Sequence, residues 1–203
     1  MSEQKKDTLE RLAARYLRTR PVDIDSWFPS SGPLVVEIGF GMGDATASLA
    51  VSRPDERVIA CEVHTAGVAN LCALLERGDA RNVVVMAEDG LDALETMPDA
   101  SVNEVRAFFP DPWPKQGQRH RRIIQPLLLS LIVTKLAPGA TLNLATDDNG
   151  YAEQMENVCN DHPSLVGGRI ARPAWRPVTK FERCGLAKGH TITDLQFRVR
   201  ASP

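Results

Sequence analysis

Short aliphatic runs recur along the first three quarters of the chain, separated by stretches of helical character. The runs are LVVEIG at 34–39, RVIACEV at 57–63, NVVVMAE at 82–88, VNEVRAFF at 102–109 and ATLNLAT at 140–146. Each is apolar almost without alternation, the pattern of a strand covered on both faces. Between them lie ATASLAVS, GVANLCALLER, LDALETM and the longer RRIIQPLLLSLIVTKL, all predicted as helices. Ala137, Pro138 and Gly139 predict the end of the last helix and the entry to the next strand. After residue 163 the pattern turns irregular around Gly167 and Gly168 and again around Arg172 to Pro177, until TITDLQFRVR at 191–200 predicts a final strand. Buried strands alternating with helices predict an α/β fold with a doubly wound, mostly parallel sheet. In such a sheet ligands sit beyond the carboxyl ends of the strands, where the strand order reverses. The acidic residues Glu37, Glu62, Glu88, Asp89, Asp111, Asp147 and Asp148 fall at those ends.

The 203 residues predict a single domain over 1–203, with a short N-terminal segment 1–32 and a basic C-terminal segment 164–203 packed on it. The most apolar stretch, IIQPLLLSLIV at 123–133, is too short for a bilayer and is broken by Gln, Pro and Ser, so no membrane association is expected. The first thirty residues carry charge throughout and no apolar signal core, which predicts a cytoplasmic protein. Cys61, Cys72, Cys159 and Cys184 have no metal-ligand spacing, and neither do the four histidines, so no metal is expected. The net charge of −2 hides an asymmetry. Residues 1–163 hold 16 Lys and Arg against 24 Asp and Glu, whereas residues 164–203 hold 8 against 2. A second basic cluster, Lys115, Arg119, Arg121 and Arg122 with His120 among them, has no acidic residue between Asp111 and Lys135. That distribution predicts one positive face suited to phosphates on an otherwise acidic body.

The first strand leads into Gly39-Phe40-Gly41-Met42-Gly43-Asp44, a turn that brings backbone against a ligand where a Cβ would clash. The spacing is not the G-x-G-x-x-G of a dinucleotide site, because the third position holds Asp44 or Thr46. An acid there would repel a pyrophosphate, which disfavours a nicotinamide oxidoreductase. S-adenosylmethionine fits better, having an ammonium, a sulfonium, a ribose diol and no phosphate. Glu37 would balance the ammonium, Glu62 would accept the ribose hydroxyls, and Asp89, beside Glu88, would meet the adenine by side chain or backbone.

The stretch Phe108-Phe109-Pro110-Asp111-Pro112-Trp113-Pro114-Lys115 places an Asp and a Trp in a proline-stiffened loop at a strand end. With EIGFGMG, ACE at 60–62, EDG at 88–90, ATDxxxYA at 145–152, TKFE at 179–182 and GHTITDL at 189–195, the chain resembles the bacterial tRNA (guanine-46-N7)-methyltransferase family from about residue 33 to 199. The resemblance implies a class I S-adenosylmethionine-dependent methyltransferase with tRNA as partner. It implies cofactor contacts at Glu37, Glu62, Asp89 and Asp111, with Asp111 also the catalytic position; Gly39, Gly41, Gly43 and Glu88 join the expected cofactor site from the glycine turn and the strand-end acids above. It implies substrate contacts at Lys115, Asp147, Thr179, Lys180, Phe181 and Glu182, and RNA contact along Gly117, Gln118, Arg119, His120, Arg121 and Arg122.

Guanine N7 carries an in-plane lone pair and no proton, so methyl transfer needs no general base. Asp111 is therefore expected to position the base and stabilise developing positive charge. Trp113 and Phe181 are candidate stacking surfaces for an extruded base, with core packing as the other possibility. His64, His120 and His190 are given no catalytic role. The chain departs from the family at Gln116, Gly117 and Gln118, where members usually carry Lys-Arg-His, and at Cys184, where an Arg commonly precedes the glycine. Those departures keep open the same cofactor chemistry on another RNA or guanine-containing substrate, and a non-catalytic RNA-binding paralogue.

Overall fold

The computed structural model describes residues 3–28 and 31–201. The chain divides into two compact units, Met1–Pro98 and Asp99–Pro203.

In the first unit, helices α1 (Glu3–Tyr16) and α2 (Ile24–Trp27) precede strand β1 (Leu34–Ile38). Helix α3 (Asp44–Ser52), strand β2 (Arg57–Cys61), helix α4 (Thr65–Arg77), strand β3 (Val83–Met86) and helix α5 (Gly90–Glu95) follow. The three strands are parallel in the order β3-β2-β1. Every residue of β1 and β3 is buried, which accounts for the absence of alternation in their sequences. The charged N-terminal segment, for which the pattern predicted no element, folds as an amphipathic helix. Its Leu12 and Tyr16 join Val68, Leu71, Cys72 and Leu75 of α4 and Val83 and Val85 of β3 in one apolar cluster. Arg15 secures it outside that cluster by bonds to Glu76 and Asp79. Leu17 then pairs with Val85 as a single bridge, and Arg18 N donates to Val85 O at 3.0 Å.

The second unit contains β4 (Val102–Phe108), α6 (Pro126–Lys135), β5 (Leu136–Thr146), α7 (Asn149–Asn160), β6 (Leu165–Ile170), α8 (Lys180–Ala187) and β7 (Thr193–Val199). Its strands run in the order β4-β5-β7-β6. The β4–β5 pair is parallel, and β7 runs antiparallel to both β5 and β6.

Three expectations change here. The helix predicted from residue 121 begins at Pro126, because the residue before a proline is pushed out of the α region and Gln125 is extended at φ −140°, ψ 158°. Residues Gln116–Arg121 instead form a short 3₁₀ turn. Pro138 and Gly139 do not separate helix from strand: β5 starts at Leu136 and absorbs them as a register shift against β4 between Val102 and Glu104. Strand β6 was not foreseen at all. A Cβ on Gly167 would lie 2.1 Å from the Gln196 carbonyl oxygen, so its glycine answers a close approach of the neighbouring strand. Among the described residues no helix is long and apolar enough to cross a membrane.

Candidate functional site

Glu37, the penultimate residue of β1, is 3% exposed. The chain leaves β1 through Gly39, Gly41 and Gly43, whose φ angles of 75°, 60° and 80° side chains rarely tolerate. This loop is held from the side by the next βα connection. Glu62 accepts from Gly41 N through Oε2 at 2.8 Å and from His64 N through Oε1 at 2.9 Å. Asn70 of α4 donates to the Met42 carbonyl at 2.7 Å. Gly67 of α4 lets the loop lie against the helix: a Cβ there would stand 2.0 Å from Gly41 O. Glu62 thus organises the glycine loop, and each of its oxygens keeps a second lone pair that could accept from a hydroxyl. Gly67 and Asn70 escaped the sequence reading because their partners lie more than twenty residues away.

Asp89 caps α5, accepting from Leu91 N at 2.9 Å. Glu88 forms an ion pair with Arg20 of the N-terminal segment, so its carboxylate is shared with the protein's own guanidinium. The Cys61 thiol, fully buried at the end of β2, has its pKa driven up first by burial and then by Glu88, Asp89 and Glu37. Glu37 at the end of β1 and Glu88 and Asp89 after β3 thus bring acidic charge to the end of β2, with Glu88 sharing its own with Arg20, a setting suited to a cation. A ligand with an ammonium, a sulfonium, a ribose and an adenine matches this donor set. The residues present fit S-adenosylmethionine.

In the second unit, Phe109 N donates to Ala145 O at 2.7 Å as β4 ends. Phe109 and Trp113 adopt φ of 55° and 40°, so Asp111 lies midway between two left-handed non-glycine residues. Such conformations cost on the order of 1–3 kcal/mol each and persist where surrounding contacts enforce them. Arg122 supplies one such contact. It is 1% exposed, donates from Nε to Pro112 O at 2.7 Å and from Nη1 to Gln154 Oε1 at 2.6 Å, and lies 4.6 Å above the Tyr151 ring. The Tyr151 hydroxyl accepts from Ile124 N at 3.2 Å, and burial pushes its pKa up to about 12. Arg122 was expected on the RNA face and instead turns inward beneath the loop. Arg121 takes the outer place, 4.8 Å over the half-buried Trp113 ring. Asp111, Lys115, Gly117, Arg119, His120 and Arg121 are exposed and Gln118 is half-buried, all in one short segment.

Past β5, Asp148 caps α7 by accepting from Tyr151 N at 2.7 Å. Its neighbour Asp147 stands 2.9 Å from His190 Nδ1 and packs against Gly185 of α8. Thr179 caps α8 and accepts from Glu182 N at 3.0 Å. The T-x-x-E spacing is that of a capping box, yet the Glu182 carboxylate is 3% exposed and bound by Arg172 at 2.9 Å and Arg176 at 2.6 Å. Arg176 completes the cluster with a two-pronged contact to Asp194 at 2.7 and 3.0 Å. Burial works against the Arg176 charge, but Asp194 and Glu182 outweigh it and hold its pKa above the ordinary value. Burial likewise opposes ionisation of Glu182, and the two guanidiniums win, keeping its carboxyl below the ordinary range. Glu182 therefore anchors the segment, while Lys180 and Phe181 project outward. Phe181 is 57% exposed, which removes core packing as its role. Among the described residues no cluster of three or more His, Cys, Asp or Glu could hold a metal ion.

The family model described as "Putative methyltransferase" matches residues 31–195. The tRNA (guanine-N(7)-)-methyltransferase of Aromatoleum aromaticum is 44% identical over 198 residues, covering 96% of this chain and 76% of that one. The protein of the same name from Streptomyces coelicolor is 45% identical over 185 residues, covering 88% and 68%. Among solved structures, a single-residue mutant of the 16S rRNA (adenine(1408)-N(1))-methyltransferase from Catenulisporales acidiphilia, with cosubstrate SAM, superposes with a TM-score of 0.58 at 16% identity over 92% of this chain and 95% of that one. The 16S rRNA methyltransferase KamB gives 0.57 at 14% identity over 100% and 95%. At these identities the likeness is one of α/β fold alone.

Proposed function

The chain belongs to the tRNA (guanine-N(7)-)-methyltransferase family, and from that premise we propose that it methylates guanine 46 in the tRNA variable loop by in-line displacement. It is an S-adenosylmethionine-dependent enzyme acting on guanine N7 of tRNA. The observation that carries the proposal is the glycine loop after β1, held by Glu62 through Gly41 N and His64 N, with Glu37, Glu88 and Asp89 at the neighbouring strand ends. The family match crosses the boundary between the two units, which supports reading residues 1–203 as one catalytic domain.

When bound, S-adenosylmethionine supplies an electrophilic methyl on a positively charged sulfur. Glu37 balances the ammonium, Glu62 accepts the ribose hydroxyls with its remaining lone pairs, and Asp89 and its backbone meet the adenine. Glu88 contributes charge from its pair with Arg20. Guanine N7 attacks with its own lone pair, so no residue removes a proton. Asp111, on a loop held stiff from below, orients the guanine and offsets the positive charge that arrives on the purine. Phe181 offers a stacking surface and Trp113 a second, with Arg121 across its ring. Asp147, Thr179 and Lys180 contact the substrate nucleotide, and Glu182 serves by fixing α8. Lys115, Arg119, His120 and Arg121 meet phosphates beside Gly117 and Gln118.

The experiment is transfer of labelled methyl from S-adenosylmethionine to unmodified tRNA transcripts, with and without guanine 46. Incorporation that vanishes with that guanine is expected. Incorporation that persists without it moves the target elsewhere in the tRNA. No incorporation, despite thermal stabilisation by S-adenosylmethionine, transfers the same chemistry to another RNA and points to Gln116, Gly117 and Gln118 as the cause.

A further inference from the structure

Helix α8 ends in two paired backbone bonds. Gly189, at φ 77°, donates to Leu186 O at 3.0 Å, and His190 N donates to Gly185 O at 3.0 Å. This is a Schellman stop, and it fixes Gly185 and His190 relative to each other. Both touch the same carboxylate. A Cβ on Gly185 would lie 2.8 Å from Asp147 Oδ2 and 3.0 Å from its Cβ, so the helix backbone closes one side of the aspartate. His190 Nδ1 stands 2.9 Å from that same Oδ2. With the side chains 45% and 31% exposed, the pair faces solvent and does not serve as a core lock. Committing Oδ2 to the imidazole sets the rotation of the carboxylate and hence the bearing of Oδ1.

We propose that His190 is a positioning residue for the tRNA substrate, donating from Nδ1–H to hold Asp147 in the orientation that accepts hydrogen bonds from the substrate nucleotide. The proposal rests on the reading of Asp147 as a substrate contact, carried by the family resemblance. The tautomer with the proton on Nδ1, or the doubly protonated ring, is the working form. Gly185 contributes only space and Gly189 only the turn that brings the ring back across the helix end.

The test measures KM for tRNA and for S-adenosylmethionine, kcat and melting temperature in His190→Ala, His190→Asn and Asp147→Ala. An asparagine amide N–H stands near the position of Nδ1, so it can replace the donor. His190→Ala is expected to raise the tRNA KM about tenfold, the scale of one charge-assisted hydrogen bond. Its S-adenosylmethionine KM and melting temperature stay unchanged, and His190→Asn recovers most of the loss. An unchanged tRNA KM in His190→Ala, with a raised one in Asp147→Ala, overturns the role of His190 alone. An unchanged KM in Asp147→Ala overturns the reading of Asp147 and the proposal with it. A lowered melting temperature in His190→Ala, with no rescue by Asn, assigns a structural role and also overturns the proposal.

Discussion

The Arg122 guanidinium donates to the carbonyl oxygen of Pro112 at 2.7 Å, so a buried cation at the end of the basic run supports the residue that follows Asp111. Replacement by methionine keeps much of the side-chain volume and removes both the Pro112 and Gln154 bonds. Arg122→Met is expected to lose about 1–3 kcal/mol in urea unfolding, the scale for losing two charge-assisted bonds to half-buried acceptors. Its kcat should fall more than its tRNA affinity, with an unchanged dependence of binding on salt. A shallower salt dependence would place Arg122 on phosphate after all.

Arg119 and Arg121 give the opposite signature. Both are exposed, and each is expected to displace one counterion on binding. Arg119→Gln and Arg121→Gln should weaken all tRNAs alike and reduce the slope of log affinity against log salt by about 0.7–0.9 each. Filter binding across a salt series reads this directly.

Gly67→Ala adds one methyl group within 2.0 Å of Gly41 O, at a helical position where alanine is otherwise favourable. The glycine loop must move. Affinity for S-adenosylmethionine is expected to fall at least about tenfold, a loss of about 1.4 kcal/mol, seen as a smaller thermal shift at fixed ligand. An undiminished shift would show that the loop backbone is not close to the cofactor.

The Glu182–Arg176–Asp194 cluster predicts acid sensitivity. The folded-state pKa of Glu182 lies below the ordinary value of 4.5, so its stabilising contribution is complete above that pH. It is lost as pH falls from there through the depressed value. Glu182→Gln should flatten the fall in stability below about pH 4.5. At neutral pH it should destabilise by about 3–5 kcal/mol, because Arg176 stays buried with one partner gone. Urea midpoints at pH 7 and pH 4 test both signs.

Legibility followed the range of the forces involved. Strands β1, β2 and β3 were readable because burial on both faces writes itself into consecutive residues. The acidic residues at their ends were readable for the same reason, since position along a strand is local information. Strand β6 was not, because Val166, Gly167 and Arg169 are exposed and its glycine answers to Gln196, some thirty residues on. Pro126 held the true start of α6 in plain view, yet the apolar run around it argued for a longer helix. Arg122 was opaque because a basic run reads as a solvated surface, and only tertiary packing shows which member turns inward. His190 acquires a partner 43 residues away, a separation that no periodicity reports.

Phe109 and Trp113 both occupy backbone conformations that their side chains disfavour. The loop between them owes its shape to Ala145 O at one end and to Arg122 and Arg121 beneath and beside it. A free peptide of sequence FPDPWPK has none of those partners and will relax to the extended states that proline favours. The motif is therefore a diagnostic signature without being a portable module. Transplanted to a strand end of another α/β protein, it would bring its residues and leave its geometry behind.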